Sequence, residues 1–146
     1  MLISYAKTLR FAGRPDEAIA SIQRVYDWSL QTGARRSEGI ALYYRAMIEM
    51  DRDGATESAY RDLESALAIH EAIGYDRGRW EVRLLRGEWF ALHGDLAAAL
   101  EEFRAGIGTP ELSEQQVVDA VRAQLEASDE HARAARLNAT WSGHAD

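Results

Sequence analysis

Apolar residues recur along this chain at the spacing of helices, with no stretch of strand-like alternation. Leu2, Tyr5, Ala6 and Leu9 share one face of a first helix, and Gly13 follows its end. Ala18, Ile22, Val25 and Tyr26 stand at i, i+4, i+7 and i+8, which predicts a second helix stopped by Gly33. Pro15 suits its first turn, where no backbone N–H is needed. Tyr43, Met47 and Met50 line a third helix that ends at the turn Asp53-Gly54. Thr56 is placed to cap the fourth, whose stripe is Ala59, Leu63, Ala66 and Leu67, ending at Gly74. A fifth helix starts near Asp76 with Val82, Leu85, Trp89 and Leu92 as its apolar face. Asp95 then caps a shorter sixth helix, carrying Ala99, Phe103 and Ile107 and stopped by Gly106, Gly108 and Thr109-Pro110. A last pair is predicted over about 111–127 and 129–141. Thr109 or Ser113 can cap its first helix, Ser113 with Gln116 forming a capping box, and Ser128 or Asp129 its second.

The pattern repeats. Gly13, Gly54 and Gly94 are each followed five residues later by Ala18, Ala59 and Ala99, at spacings of 41 and 40 residues. A fixed period of this size indicates stacked supersecondary units, so the expected fold is an all-α solenoid of antiparallel helix pairs. Its units span about 1–33, 34–74, 75–108 and 111–141, giving seven or eight helices in one domain over 1–141 and a frayed tail at 142–146. The three alanines are expected where the helices of a pair approach most closely. His131, Arg133, Arg136 and Asn138 read as the polar outer face that closes the array against water. The first helix has no N-cap and begins at once with Leu2 and Ile3. That predicts self-association, a docked partner, or a preceding repeat.

The Gly-x-x-x-x-Ala turn, with a large apolar residue four after the alanine (Ile22, Leu63, Phe103), resembles the tetratricopeptide-repeat (TPR) superfamily. The segment Ile73-Gly74-Tyr75-Asp76-Arg77-Gly78, followed by Leu84, Leu85, Gly87 and Gly94-Asp95, is similar to particular long members of it. These are the repeats of about 40 residues in large ATP-dependent LuxR-type activators and actinobacterial antibiotic regulatory proteins. The resemblance covers residues 1–108 and, more weakly, 111–141. It implies a right-handed, TPR-like solenoid of three to four repeats that binds a protein or peptide and has no catalytic activity of its own. The first helix of each pair would line the concave face, making Lys7, Arg10, Tyr44, Ile48, Leu84 and Glu88 the partner-binding residues. The Lys and Asn pattern of TPRs that bind acidic chaperone tails is not matched, since no asparagine precedes Asn138. A second implied role is the C-terminal sensory portion of a larger transcription regulator, although no nucleotide-binding or DNA-recognition segment is visible.

Composition narrows the function classes. Hydrophobic residues at 47% and charged residues at 28% are globular values, which argues against disorder. The net charge of −7 is shared between both halves, with 9 basic and 11 acidic side chains in residues 1–73 and 8 and 13 in residues 74–146. No basic face is predicted, so direct nucleic-acid and membrane-surface binding are not expected. The start of the chain lacks signal-peptide order and no run approaches a membrane span, so the expectation is a soluble cytoplasmic protein. The absence of cysteine excludes disulfides and thiolate chemistry. His70, His93, His131 and His144 show no metal-ligand spacing and read as solvated or satisfied histidines; no cofactor or metal is expected. Arg79, Arg83 and Arg86 share one helix face and form a possible anion-binding row, with pairing to neighbouring acids as the competing reading. Trp28, Trp80, Trp89 and Trp141 read as inter-helix packing.

Overall fold

A computed structural model describes residues 2–108 and 111–144, and among these there are eight α-helices and no strand. They are α1 (Leu2–Phe11), α2 (Pro15–Thr32), α3 (Arg35–Asp53), α4 (Glu57–Ile73), α5 (Asp76–His93), α6 (Leu96–Ile107), α7 (Glu114–Ala127) and α8 (His131–His144). The stop at Thr109-Pro110, the alternative cap at Thr109 and the last two residues of the expected tail lie outside the described residues. α8 itself continues to His144, three residues past the predicted end.

The local signals explain the boundaries. Gly33, Gly74 and Gly108 close α2, α4 and α6 with left-handed φ values of 72°, 68° and 77°. Thr56 and Asp95 accept from the backbone N–H groups of Ala59 and Ala98, satisfying donors that a helix start leaves open. Ser113 and Gln116 form the reciprocal capping box that begins α7. The reading of Ser128 or Asp129 as a cap for α8 is corrected. Ser128 ends α7, and Asp129 adopts a left-handed φ of 60° that lets the Glu130 N–H donate back to the Leu125 carbonyl at 2.8 Å. These two residues terminate one helix instead of starting the next.

The chain divides into two compact units, one reaching Val82 and the other starting at Arg83, so the boundary falls inside α5. In the first unit the side-chain register gives the helix directions. Asp16 meets Arg52 while Gln23 meets Arg45, so α2 and α3 run in opposite senses. Arg45 meets Asp62 while Glu49 meets Ser58, so α3 and α4 do too. Lys7 lies over Tyr44 and Arg10 pairs with Asp51, so α1 and α3 run in the same sense. Ala18 and Ala59 are fully buried, with Ile22, Ile48 and Leu63 among the largest side chains closed off from water. On α1 only half the predicted stripe is covered: Ala6 and Leu9 are buried, whereas Leu2 and Tyr5 are exposed.

In the second unit Phe103 is fully buried against the backbone of Gly87, where an added Cβ would stand 2.3 Å from the ring. The Trp141 ring lies 6.0 Å from Phe103, and its indole N–H donates to Glu114 at 3.0 Å, tying α8 to α6 and α7. Trp89 and Trp141 are packing residues as expected; Trp28, on α2 of the first unit, is 52% exposed. The placement of Arg133 on an outer polar face is corrected. It is 4% exposed and donates from Nε and Nη2 to both carboxylate oxygens of Glu88, at 2.8 and 2.5 Å. A guanidinium fork matches a carboxylate in this geometry, and the pair joins α8 to α5 through the interior.

Candidate functional site

α3, α4 and the start of α5 surround a cavity of about 110 Å³, lined by Ile40, Tyr43, Tyr44, His70, Tyr75, Arg77, Gly78 and Glu81. Its wall is set by His70, which completes the α4 stripe at i+7 from Leu63 and is 1% exposed. The imidazole is held edge-on between two helix backbones. A Cβ on Gly39 of α3 would stand 2.3 Å from Nε2, and one on Gly78 of α5 would stand 1.6 Å from Nδ1. Glycine inside a helix costs about 1 kcal/mol relative to alanine, and here that cost opens the space the ring fills. Tyr75 stacks on the imidazole at 5.1 Å, with its plane inclined by 24°.

Neither ring nitrogen of His70 has a hydrogen-bond partner. A neutral imidazole carries one donor and one acceptor, so both are unsatisfied in either tautomer. Burial first, and then the positive charge of Arg36, hold the His70 pKa below the ordinary histidine value, so the ring is neutral at pH 7. The reading of this residue as a solvated or satisfied histidine is thereby corrected. The rim is charged and aromatic. Arg77 is exposed and pairs with Glu81 at 2.9 Å, the Arg36 guanidinium lies 4.1 Å from the Tyr75 ring centroid, and the Lys7 ammonium 5.1 Å from that of Tyr44.

The residues expected to bind a partner are distributed unevenly about this site. Tyr44 lines it, and Lys7 lies on the Tyr44 ring. Arg10 is turned to Asp51, and its side chain is nearly covered. Ile48, Leu84 and Glu88 are buried, the last by its pair with Arg133, so a partner docking from outside meets none of the three. In the arginine row, Arg79 pairs with Asp76 at 2.8 Å, while Arg83 and Arg86 both face the Glu102 carboxylate at 3.7 Å. The anion these two arginines face is therefore the chain's own. Burial raises the Glu102 pKa and outweighs the opposing pull of Arg86 and Arg83, in keeping with two long, partly shielded contacts.

His70, Tyr75, Arg77 and Glu81 were missed as site residues. Two signals pointed to them: glycines at 39 and 78 inside helical stretches, and the position of His70 on the apolar face of α4. Among the described residues no group of three His, Asp or Glu side chains is arranged to hold a metal ion, and no helix is long and apolar enough to cross a membrane. No protein-family model, curated protein or solved structure matches the chain.

Proposed function

We propose that this chain is a TPR-like helical-repeat module that binds a protein or peptide through the face carrying Tyr44 and the adjoining cavity. The observation that carries the reading is the cavity itself: an aromatic recess opening beside α3 with charged side chains at its rim. Concave sites with a few placed polar groups are where ligands bind, and about 110 Å³ suits one side chain of a partner better than a whole metabolite. The finer fold assignment, a right-handed solenoid with a period near 40 residues, belongs to the same proposal. Its support is the same-sense alignment of α1 with α3, in which Arg10 meets Asp51 41 residues on. Exposed Leu2, Tyr5 and Phe11 on α1 support self-association as a second mode of contact.

Selection from a displayed library of random twelve-residue peptides tests the reading. Peptides enriched by the wild-type chain should bind the Tyr44→Ala variant with a loss on the order of 2 kcal/mol, the scale of an aromatic anchor. Enrichment of no peptide, or equal binding by the variant with its helicity intact, would remove the proposal.

A further inference from the structure

The cavity rim carries cations without carboxylate partners. In the first unit the arginines other than Arg24 and Arg36 each have a carboxylate within ion-pair distance, as with Arg45 and Asp62 or Arg52 and Asp16. Lys7, Arg24 and Arg36 have none among the described residues, and two of these three lie on the ring faces of cavity tyrosines. The His70 nitrogens also lack hydrogen-bond partners, but helix backbone covers both, so the cations carry the complementarity. The one lining carboxylate, Glu81, already accepts from Arg77. In a protein of net charge −7 this is a local excess of positive charge, and what complements it is an anion with acceptor oxygens.

Size and charge narrow the choice. The volume lies below the roughly 150 Å³ that accepts a benzene ring, which leaves room for a short side chain. Glu81 offsets part of the positive field, favouring a monoanion over a phosphate dianion. We propose that this cavity receives a carboxylate side chain of an acidic partner segment, and that binding is linked to proton uptake at His70. The inference rests on the peptide-binding reading above.

The linkage follows from what surrounds the ring. The charged and titratable groups about His70 are Arg36, Tyr43 and Tyr44 from α3, and Tyr75, Arg77 and Glu81 from α5 and the turn before it. Helix backbone at Gly39 and Gly78 covers both nitrogens, so a bound carboxylate acts on the ring through its field. It offsets the Arg36 charge that opposes protonation. Binding therefore strengthens as pH falls toward the folded His70 pKa, which lies below the ordinary histidine value, while a glutamate of pKa about 4.3 stays charged.

The test is a calorimetric titration of the full chain with hexaglutamate, hexaglutamine, butanoate and inorganic phosphate, with the His70 ring followed by NMR. Hexaglutamate should bind and shift the His70 titration upward, and hexaglutamine should not. Lys7→Gln and Arg36→Gln should each weaken hexaglutamate by about tenfold, the scale of one charge-assisted contact, while Arg24→Gln leaves it unchanged. Equal loss from Arg24→Gln would reduce the effect to bulk charge and overturn the proposal, as would a preference for phosphate. Butanoate binding without hexaglutamate binding would overturn the assignment to a protein partner. Peptides that depend on Tyr44 but bind equally with Gln in place of Glu would leave the peptide-binding reading standing and remove this one.

Discussion

Two buried ionisable sites, one in each unit, are answered in opposite ways. In the second, Glu88 and Arg133 are both nearly closed to water and answer each other through two hydrogen bonds. In the first, His70 is equally buried, with neither nitrogen answered, and it stands beside a cavity. A buried pair that satisfies itself fixes how two helices meet and leaves nothing for a ligand to complete. A buried group left without partners carries an uncompensated cost, and this one forms the wall of an open recess. The contrast separates a structural ion pair from a candidate site, although both would pass as perturbed polar residues in a sequence.

The largest expected effect breaks the satisfied side. Arg133→Met leaves the Glu88 carboxylate buried and unpaired, and should destabilise by about 3–5 kcal/mol in urea unfolding. Glu88→Leu combined with Arg133→Met removes both charges and should return most of that loss. Recovery would show that the pair specifies the α5–α8 contact more than it stabilises it. A double variant no better than the single would mean that the volume of these side chains matters more than their charge.

The unsatisfied side is tested at its glycines. Gly78→Ala pushes a methyl group into the His70 ring and should cost about 1–3 kcal/mol as overpacking. Adding His70→Ala opens the space, so the second substitution should cost less in the Gly78→Ala background than in the wild type. Additive losses would mean that the ring does not wedge between α3 and α5 as described.

How much of this was legible in the sequence follows from the range of each signal. Helix positions and ends were readable because period, glycine stops and capping residues act within a few positions: Thr56, Asp95 and the Ser113–Gln116 box all cap where their spacing indicates. Of the expected α5 face, Val82, Leu85 and Trp89 were readable for the same reason and are buried, whereas Leu92, in the last turn of the helix, is exposed and is corrected. The site was only half readable. Tyr44 could be placed by analogy between repeats, but Ile48 and Leu84 belong to the interior. The Glu88–Arg133 pair joins residues 45 positions apart, and no local period couples them. His70 was the avoidable miss, since its place after Leu63, Ala66 and Leu67 on one stripe already required it to be buried.

Acid should distinguish the units next. The folded His70 pKa is depressed, so its neutral form contributes stability that is complete above the ordinary histidine value near 6.5. That contribution declines as pH falls from there through the folded value. One proton bounds the slope at about 1.4 kcal/mol per pH unit. Glu102 has the opposite sign: its folded pKa is raised, so it favours the folded state once protonated and loses that contribution as pH rises through its folded value. Urea midpoints measured from about pH 7.5 to pH 5.5 should therefore fall more, or rise less, in the wild type than in His70→Leu. Parallel curves would place the acid sensitivity elsewhere.

The smallest effect checks that the contrast is local to the buried groups. Thr56 and Ser113 cap α4 in the first unit and α7 in the second through the same contact, a side-chain oxygen accepting a backbone N–H three residues on at 3.2 Å. Thr56 also donates to Glu49, whereas Ser113 acts with Gln116. Each change to alanine should cost about 1 kcal/mol, because the same orphan donor of a helix start is uncovered in both. Neither should alter the pH dependence or any peptide binding, since neither residue touches His70 or the cavity. If Ser113→Ala proved as costly as Arg133→Met, the stability of the second unit would rest on its helix starts. The buried ion pair would then lose the role assigned to it here.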